Sequence, residues 1–174
     1  MSEKYCPICQ ARLIIPRGNS DLLIVGSSPD EEDIRKGYPF STSSNNGYFD
    51  RVTAGKILRK ELEMVGLSIN DFRITCLWLH EPNKSEDCWK HGYDTVLGDA
   101  KGKKAILLIG ADAVDTFTGY KVSEVSGLRV DSSVLSAKLI MAMVSPGLAM
   151  SRSVGEVRHG ILKWKLALEK ENLI

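Results

Sequence analysis

A chain of 174 residues, 43% hydrophobic and 26% charged, has the composition of a soluble globular protein and is long enough for one domain with its own core over residues 1–174. No apolar stretch follows the first residues, and the longest aliphatic runs, residues 105–109 and 139–144, are too short to span a bilayer. Neither a membrane span nor a secretory leader is expected from these residues, and the expected setting is intracellular, in the cytoplasm or associated with the nucleoid. A net charge of +1 leaves a nucleic-acid partner open, because the footprint depends on where charge lies and not on its sum.

The chain opens on Cys6-Pro7-Ile8-Cys9, a turn that points two thiolates at one ion. His80 and Cys88 form a second, closely spaced pair at mid-chain. Together the four make a closed, structural site that ties an N-terminal knuckle, about residues 1–15, to the body. The competing reading takes these cysteines as small buried hydrophobes. A reducing compartment disfavours disulfides, and the polar, turn-prone surroundings of Cys6 and Cys9 favour the metal.

Leu22-Leu23-Ile24-Val25-Gly26 is a short apolar run ending in a loop, the pattern of a strand buried on both faces. An acidic run, residues 30–33, lies in the long loop that follows, and polar residues 41–47 extend it. Val52, Ile57, Leu58, Leu62 and Val65 then recur at helical spacing up to Gly66. Strand patterns return at residues 72–78, 105–109 and 138–144. Helical patterns occupy residues 86–97, 111–118 and 154–168, the last with Ile161, Trp164 and Leu168 on one face. Alternation of this kind predicts an α/β fold, a three-layer α/β/α sandwich around a four-stranded parallel sheet. Its site belongs at the carboxyl ends of the strands. Basic residues cluster at Lys101, Lys103 and Lys104 and at Arg152, Arg158 and His159, where a solvated face is the plainer explanation.

The loop chemistry by itself is sparse. Residues 26–29 could cradle a phosphate but lack a Walker-type lysine and a dinucleotide glycine pattern. A serine nucleophile would need one of only three histidines beside it.

The order of motifs is more informative. Gly26-Ser27-Ser28-Pro29-Asp30, running to Gly37-Tyr38-Pro39-Phe40, is followed by Ala54-Gly55, Ile74-Thr75-Cys76, His80-Glu81-Pro82, Cys88, Gly110-Ala111 with Ala113, and Ser145-Pro146-Gly147. This series resembles the iron–sulfur uracil-DNA glycosylases of family 4, within the uracil-DNA glycosylase superfamily, over nearly the whole chain. The resemblance implies a DNA-binding and base pocket made of Gly26, Ser28, Pro29, Phe40, Gly55, Cys76, Pro146, Gly147, Leu148 and Arg152. Phe40 would stack on a flipped base. Leu148 stands where relatives carry an apolar wedge, although Leu148 and Met150 read equally well as a cap on the core. Arg152 would contact phosphate.

The chain also departs from the family pattern. The family's water-activating Glu, its base-reading Asn and its anion-stabilising His correspond to Ser27, Cys76 and Ser145. A neutral hydroxyl cannot orient water against a cationic sugar as a carboxylate does, and a thiol cannot pair with both a carbonyl and an N–H of a base. The candidates left for catalysis are Ser27, Asp30 and Ser145.

His80 occupies a cluster-cysteine position of that family. Three thiolates and one imidazole place zinc ahead of a four-iron four-sulfur cluster, with Cys76 as a substitute ligand for His80. The expected partners are DNA and a replication or repair protein, with no membrane. Three functional readings remain. One is a DNA-binding protein whose uracil excision is weak or lost, acting as an accessory or altered-base recogniser. The second is an active glycosylase with a rebuilt site for uracil or another modified base. The third is a protein-interaction module on the same scaffold.

Overall fold

The computed structural model describes residues 5–42, 52–147 and 154–174. Five strands form one sheet in the order β2-β1-β3-β5-β4. Four of them, β1 (Leu22–Gly26), β2 (Arg73–Cys76), β3 (Ala105–Ile109) and β5 (Leu139–Met143), run parallel in matched register. They are the four apolar runs read from the sequence.

The expected four-stranded sheet needs one correction. A fifth strand, β4 (Leu128–Arg129), pairs antiparallel with β5 at the edge. It is two residues long and both are exposed, so it carries neither an apolar run nor an alternation that a sequence pattern could register.

Successive residues of a strand point to opposite faces, and the core divides accordingly. Leu22 and Ile24 of β1 join a cluster with Leu58, Leu62, Ile161, Trp164 and Leu168, which belong to α2 (Ala54–Met64) and α6 (Val154–Lys170). Leu23 and Val25 face the other way, toward Val96, Ala100, Val114 and Phe117 on α3 (Glu86–Ala100) and α4 (Ala111–Thr118). Three layers follow from this division of side chains.

The short helices are where sequence and structure differ. The acidic run in the long first loop is α1 (Glu31–Lys36): Asp30 caps it by accepting from the Asp33 N–H, while the Asp33 carboxylate accepts from the Asp30 N–H. A four-residue helix, α5 (Val122–Val125), precedes β4.

The N-terminal segment is stitched along the β2 edge. Arg17 and Ile74 exchange backbone hydrogen bonds of 3.0 and 2.8 Å, Ile14 N–H donates to Leu79 at 2.7 Å, and Ile15 N–H donates to Gly37 at 2.8 Å. A third small cluster of Cys6, Leu13, Ile14, Cys76, Leu79 and Cys88 forms beneath it. With β1 and β3 adjacent inside the sheet, the chain leaves β1 toward β2 and leaves β3 toward β5. The crevice where a ligand fits thus opens at the carboxyl ends of β1 and β3.

Candidate functional site

Two sites flank the carboxyl end of the sheet. The first gathers Cys6, Cys9, His80 and Cys88, whose ligand atoms all lie within 4.8 Å of one another. Cys6 Sγ is 3.8 Å from Cys88 Sγ, and Cys9 Sγ is 3.6 Å from His80 Nε2. The Cys6–Cys9 turn is closed by Gln10 N–H donating to the Cys6 carbonyl and Cys6 N–H donating to the Ala11 carbonyl.

His80 is presented as a ligand should be. Its Nδ1 lies 2.7 Å from the Glu81 carbonyl, so Nδ1 carries the proton and the Nε2 lone pair faces the thiols. Cys88 stands in the first turn of α3, where Ser85 caps the helix. Hydrogen bonding to Ser85, and then to Asn83, pulls its thiol down to about 6 against the opposing effect of burial. That favours the thiolate, the form that binds metal. The donor set, its spacing and its outer hydrogen bonds fit a bound metal. Cys76, the substitute ligand, lies outside this group. Its thiol sits against Gly26, where an added Cβ would come within 2.9 Å of it, and burial pushes it well above the ordinary range, leaving it neutral.

The second site is a cavity of about 200 Å³ lined by Ser27, Ser28, Pro29, Asp30, Asp33, Phe40, Ala54, Ile109, Ser145 and Gly147. It occupies the crevice expected from the strand order. Phe40 is buried with a left-handed backbone, φ 49°, and its ring packs over Gly26 beside Cys76. Gly55 lets α2 approach that backbone: a Cβ there would lie 2.2 to 2.5 Å from the Phe40 and Ser41 main chain.

The three catalytic candidates hold different positions. Ser27 Oγ donates to the Ile109 carbonyl at 3.2 Å and accepts from the Ala113 N–H at 3.1 Å. It thereby caps α4, whose own N-cap is Gly110 and supplies no side chain. Ser145 Oγ accepts from the Gly147 N–H at 3.2 Å, closing its own loop over Pro146. One oxygen of Asp30 caps α1, and its residue lines the cavity. Leu148 and Arg152 lie outside the described residues.

One cavity residue had no sequence signal of its own. Asp33 is 3% exposed, accepts from the Ser41 N–H at 2.6 Å and the Asp30 N–H at 3.3 Å, and lines the cavity. Burial raises its carboxyl to about 6, and the neighbouring charge of Asp30 adds to the shift, against the Ser41 hydrogen bond. In the sequence it is one acid among four. Only the helix that buries it sets it apart.

The family model for the uracil DNA glycosylase superfamily matches residues 14–157, most of the chain and both walls of the cavity. The chain belongs to this superfamily. No curated protein matches the chain. Superfamily membership accounts for a cleft at the strand ends of an α/β sheet and makes DNA the implied substrate or partner. Among the described residues, no helix is long and apolar enough to cross a membrane.

Proposed function

We propose that this superfamily member is an intracellular DNA-binding protein, one domain over residues 1–174, whose ordinary uracil excision is weak or lost. In this reading it serves as a replication or repair accessory or a recogniser of an altered base. The observation that carries the reading is Ser27. Orienting water against a cationic sugar calls for a charged acceptor, whereas Ser27 is a neutral hydroxyl whose proton is given to the Ile109 carbonyl and one of whose two lone pairs is taken by the Ala113 N–H. Cys76, at the position of the family's base-reading amide, is a neutral buried thiol. Loss of a single preorganised group costs about 10² to 10³ in rate, and losses of several compound. The stacking wall of Phe40 and the Pro29 and Pro146 loops remain as a means of holding a flipped base.

The alternative reading, an active glycosylase with a rebuilt site, is favoured by one observation. Asp33 places a carboxyl at about 6 on the cavity wall, beside the family's first motif, and a group poised near neutrality can hold or move a proton at its Oδ atoms. Single-turnover base release with protein in excess separates the two, using oligonucleotides that carry uracil, hypoxanthine or xanthine. The expected outcome is DNA binding without release. Release that is abolished by Asp33→Asn would establish the alternative.

For the metal, the reading is a structural zinc ion held by Cys6, Cys9, His80 and Cys88. Tetrahedral zinc sets two thiolates about 3.8 Å apart and a thiolate and an imidazole about 3.5 Å apart, given its bond lengths. Separations of 3.8 and 3.6 Å support a single ion. A cluster of four irons would hold its ligands further apart. Bound zinc would supply no reaction step here, since all four positions are filled by protein. It would pin the N-terminal segment beside the cavity. Metal analysis of protein purified with and without air is expected to return one zinc per chain, and iron with acid-labile sulfide would reverse the assignment.

A further inference from the structure

Three arginines from the described segments, gathered about Tyr38 and Phe40, form a positively charged corner that neither the fold nor the cavity requires. Arg17, beside β2, lies with its guanidinium carbon 4.6 Å from the centre of the Tyr38 ring. Arg59, one turn beyond Gly55 on α2, reaches back to donate from Nη2 to the Phe40 carbonyl at 3.4 Å. Arg12 brings a third guanidinium to 3.5 Å from where a Cβ on Gly37 would stand. The two inner arginines are half-buried, and both carry a buried nitrogen with no partner among the described residues: Nη2 of Arg17 and Nε of Arg59.

Their situation differs from that of four other arginines among the described residues. Arg35, Arg73, Arg129 and Arg158 each pair with a carboxylate, at Glu32, Asp99, Glu171 and Glu61. Arg17 and Arg59 make no ion pair among the described residues. Burial lowers the affinity of both for their protons, and Arg17 also feels the positive charge of Arg59. The negative charge of Asp33 acts on both arginines and that of Glu63 on Arg59, but at a distance, and the Asp33 oxygens are occupied by the backbone N–H groups of Ser41 and Asp30. Two desolvated like charges with unsatisfied donors cost stability unless an anion completes them.

We infer that Arg17 and Arg59, gathered around Tyr38 and Phe40, form a phosphate subsite that takes a phosphodiester of the DNA strand whose base enters the cavity. The planar fork of guanidinium matches the oxygens of a phosphate, and the Tyr38 ring holds that of Arg17 in place. The link to the cavity is direct: the Phe40 carbonyl accepts from Arg59, while the ring of the same residue forms the cavity wall. An internal phosphodiester is favoured over a terminal phosphate because the corner adjoins a cleft built for a base within a strand. This inference rests on the DNA-binding reading above for the identity of its ligand, and on the arginine pair alone for its chemistry.

The test has two parts. Inorganic phosphate should raise the melting temperature of the native protein, and Arg17→Gln and Arg59→Gln should each abolish that rise. The charge-keeping Arg17→Lys and Arg59→Lys, which lose only the fork, should retain part of it. No phosphate-dependent rise in the native protein overturns the subsite, whatever happens with DNA.

The second part titrates salt against binding of a labelled single-stranded oligonucleotide. Each Gln variant should weaken binding about tenfold and reduce the slope of log K on log salt by about 0.7. Arg129→Gln, at the opposite edge of the sheet, controls for net charge. An unchanged slope in folded Gln variants overturns the assignment. Equal losses with and without a 5′-phosphate support the internal phosphodiester, and a loss confined to the 5′-phosphorylated strand overturns it in favour of a terminal group. A native protein that responds to phosphate but binds no DNA would leave the subsite standing and remove the DNA-binding function.

Discussion

At the scale of single residues, Ser27 and Asp33 show how position redefines chemistry. The hydroxyl of Ser27 bridges the end of β3 and the start of α4, so its loss should be felt in stability. Ser27→Ala is expected to lower the unfolding free energy by about 1 to 2 kcal/mol, the scale of a lost helix cap and a broken hydrogen bond, while leaving oligonucleotide affinity unchanged. Denaturant melts together with a binding titration would check both halves. Asp33 gives a pH signature. Its folded value near 6 stands above the ordinary 3.8, so folding favours the protonated form. The resulting penalty is complete above pH 6, shrinks as pH falls through that value, and is gone below the unfolded value. Native protein should therefore gain stability relative to Asp33→Asn between pH 7 and pH 4, by at most about 3 kcal/mol. Parallel pH dependences of the two proteins would refute the assigned shift.

At the scale of elements, the N-terminal knuckle shows what a tightly spaced ligand set does for a segment with little core of its own. Residues 5–15 contribute three buried apolar groups, Cys6, Leu13 and Ile14, to a small cluster, so most of their order rests on the metal and on backbone bonds to the β2 edge. Removal of the ion by a chelator, or Cys88→Ala, is expected to make amides of residues 6–14 exchange quickly while those of β1 and β3 stay protected. Hydrogen exchange read by mass spectrometry distinguishes this from global unfolding. Long helices and buried strands were legible because their apolar periods are strong. Helix α4 matches its sequence pattern end to end, whereas α3 runs three residues beyond its own. Helix α1, α5 and β4 were not legible, being six, four and two residues long, with α1 held by its capping box and β4 by edge pairing.

At the scale of the whole molecule, both faces of the sheet are covered and the strands interleave in space, β3 at the centre between β1 and β5. Strands β1, β3 and β5 each supply side chains to both core clusters, so none of the three can leave without opening both. Metal-loaded protein should therefore unfold in one thermal transition, with equal calorimetric and van't Hoff enthalpies. A chelated sample should keep that main transition at a lower midpoint. Two resolved transitions in the metal-loaded state would contradict the single-domain reading.

The sequence by itself determined the layers, the four parallel strands and the four metal-type ligands. Burial on both faces demands continuous apolar runs, and metal binding demands a few residue types at short spacing, both of which are local and visible in one dimension. Only the tertiary structure decided the fates of Ser27, Cys76 and Asp33 and the meeting of Arg17 with Arg59. These depend on which backbone groups and charges lie across the crevice, and partners 82 and 86 residues away, such as Ile109 and Ala113 for Ser27, leave no periodic trace in the chain.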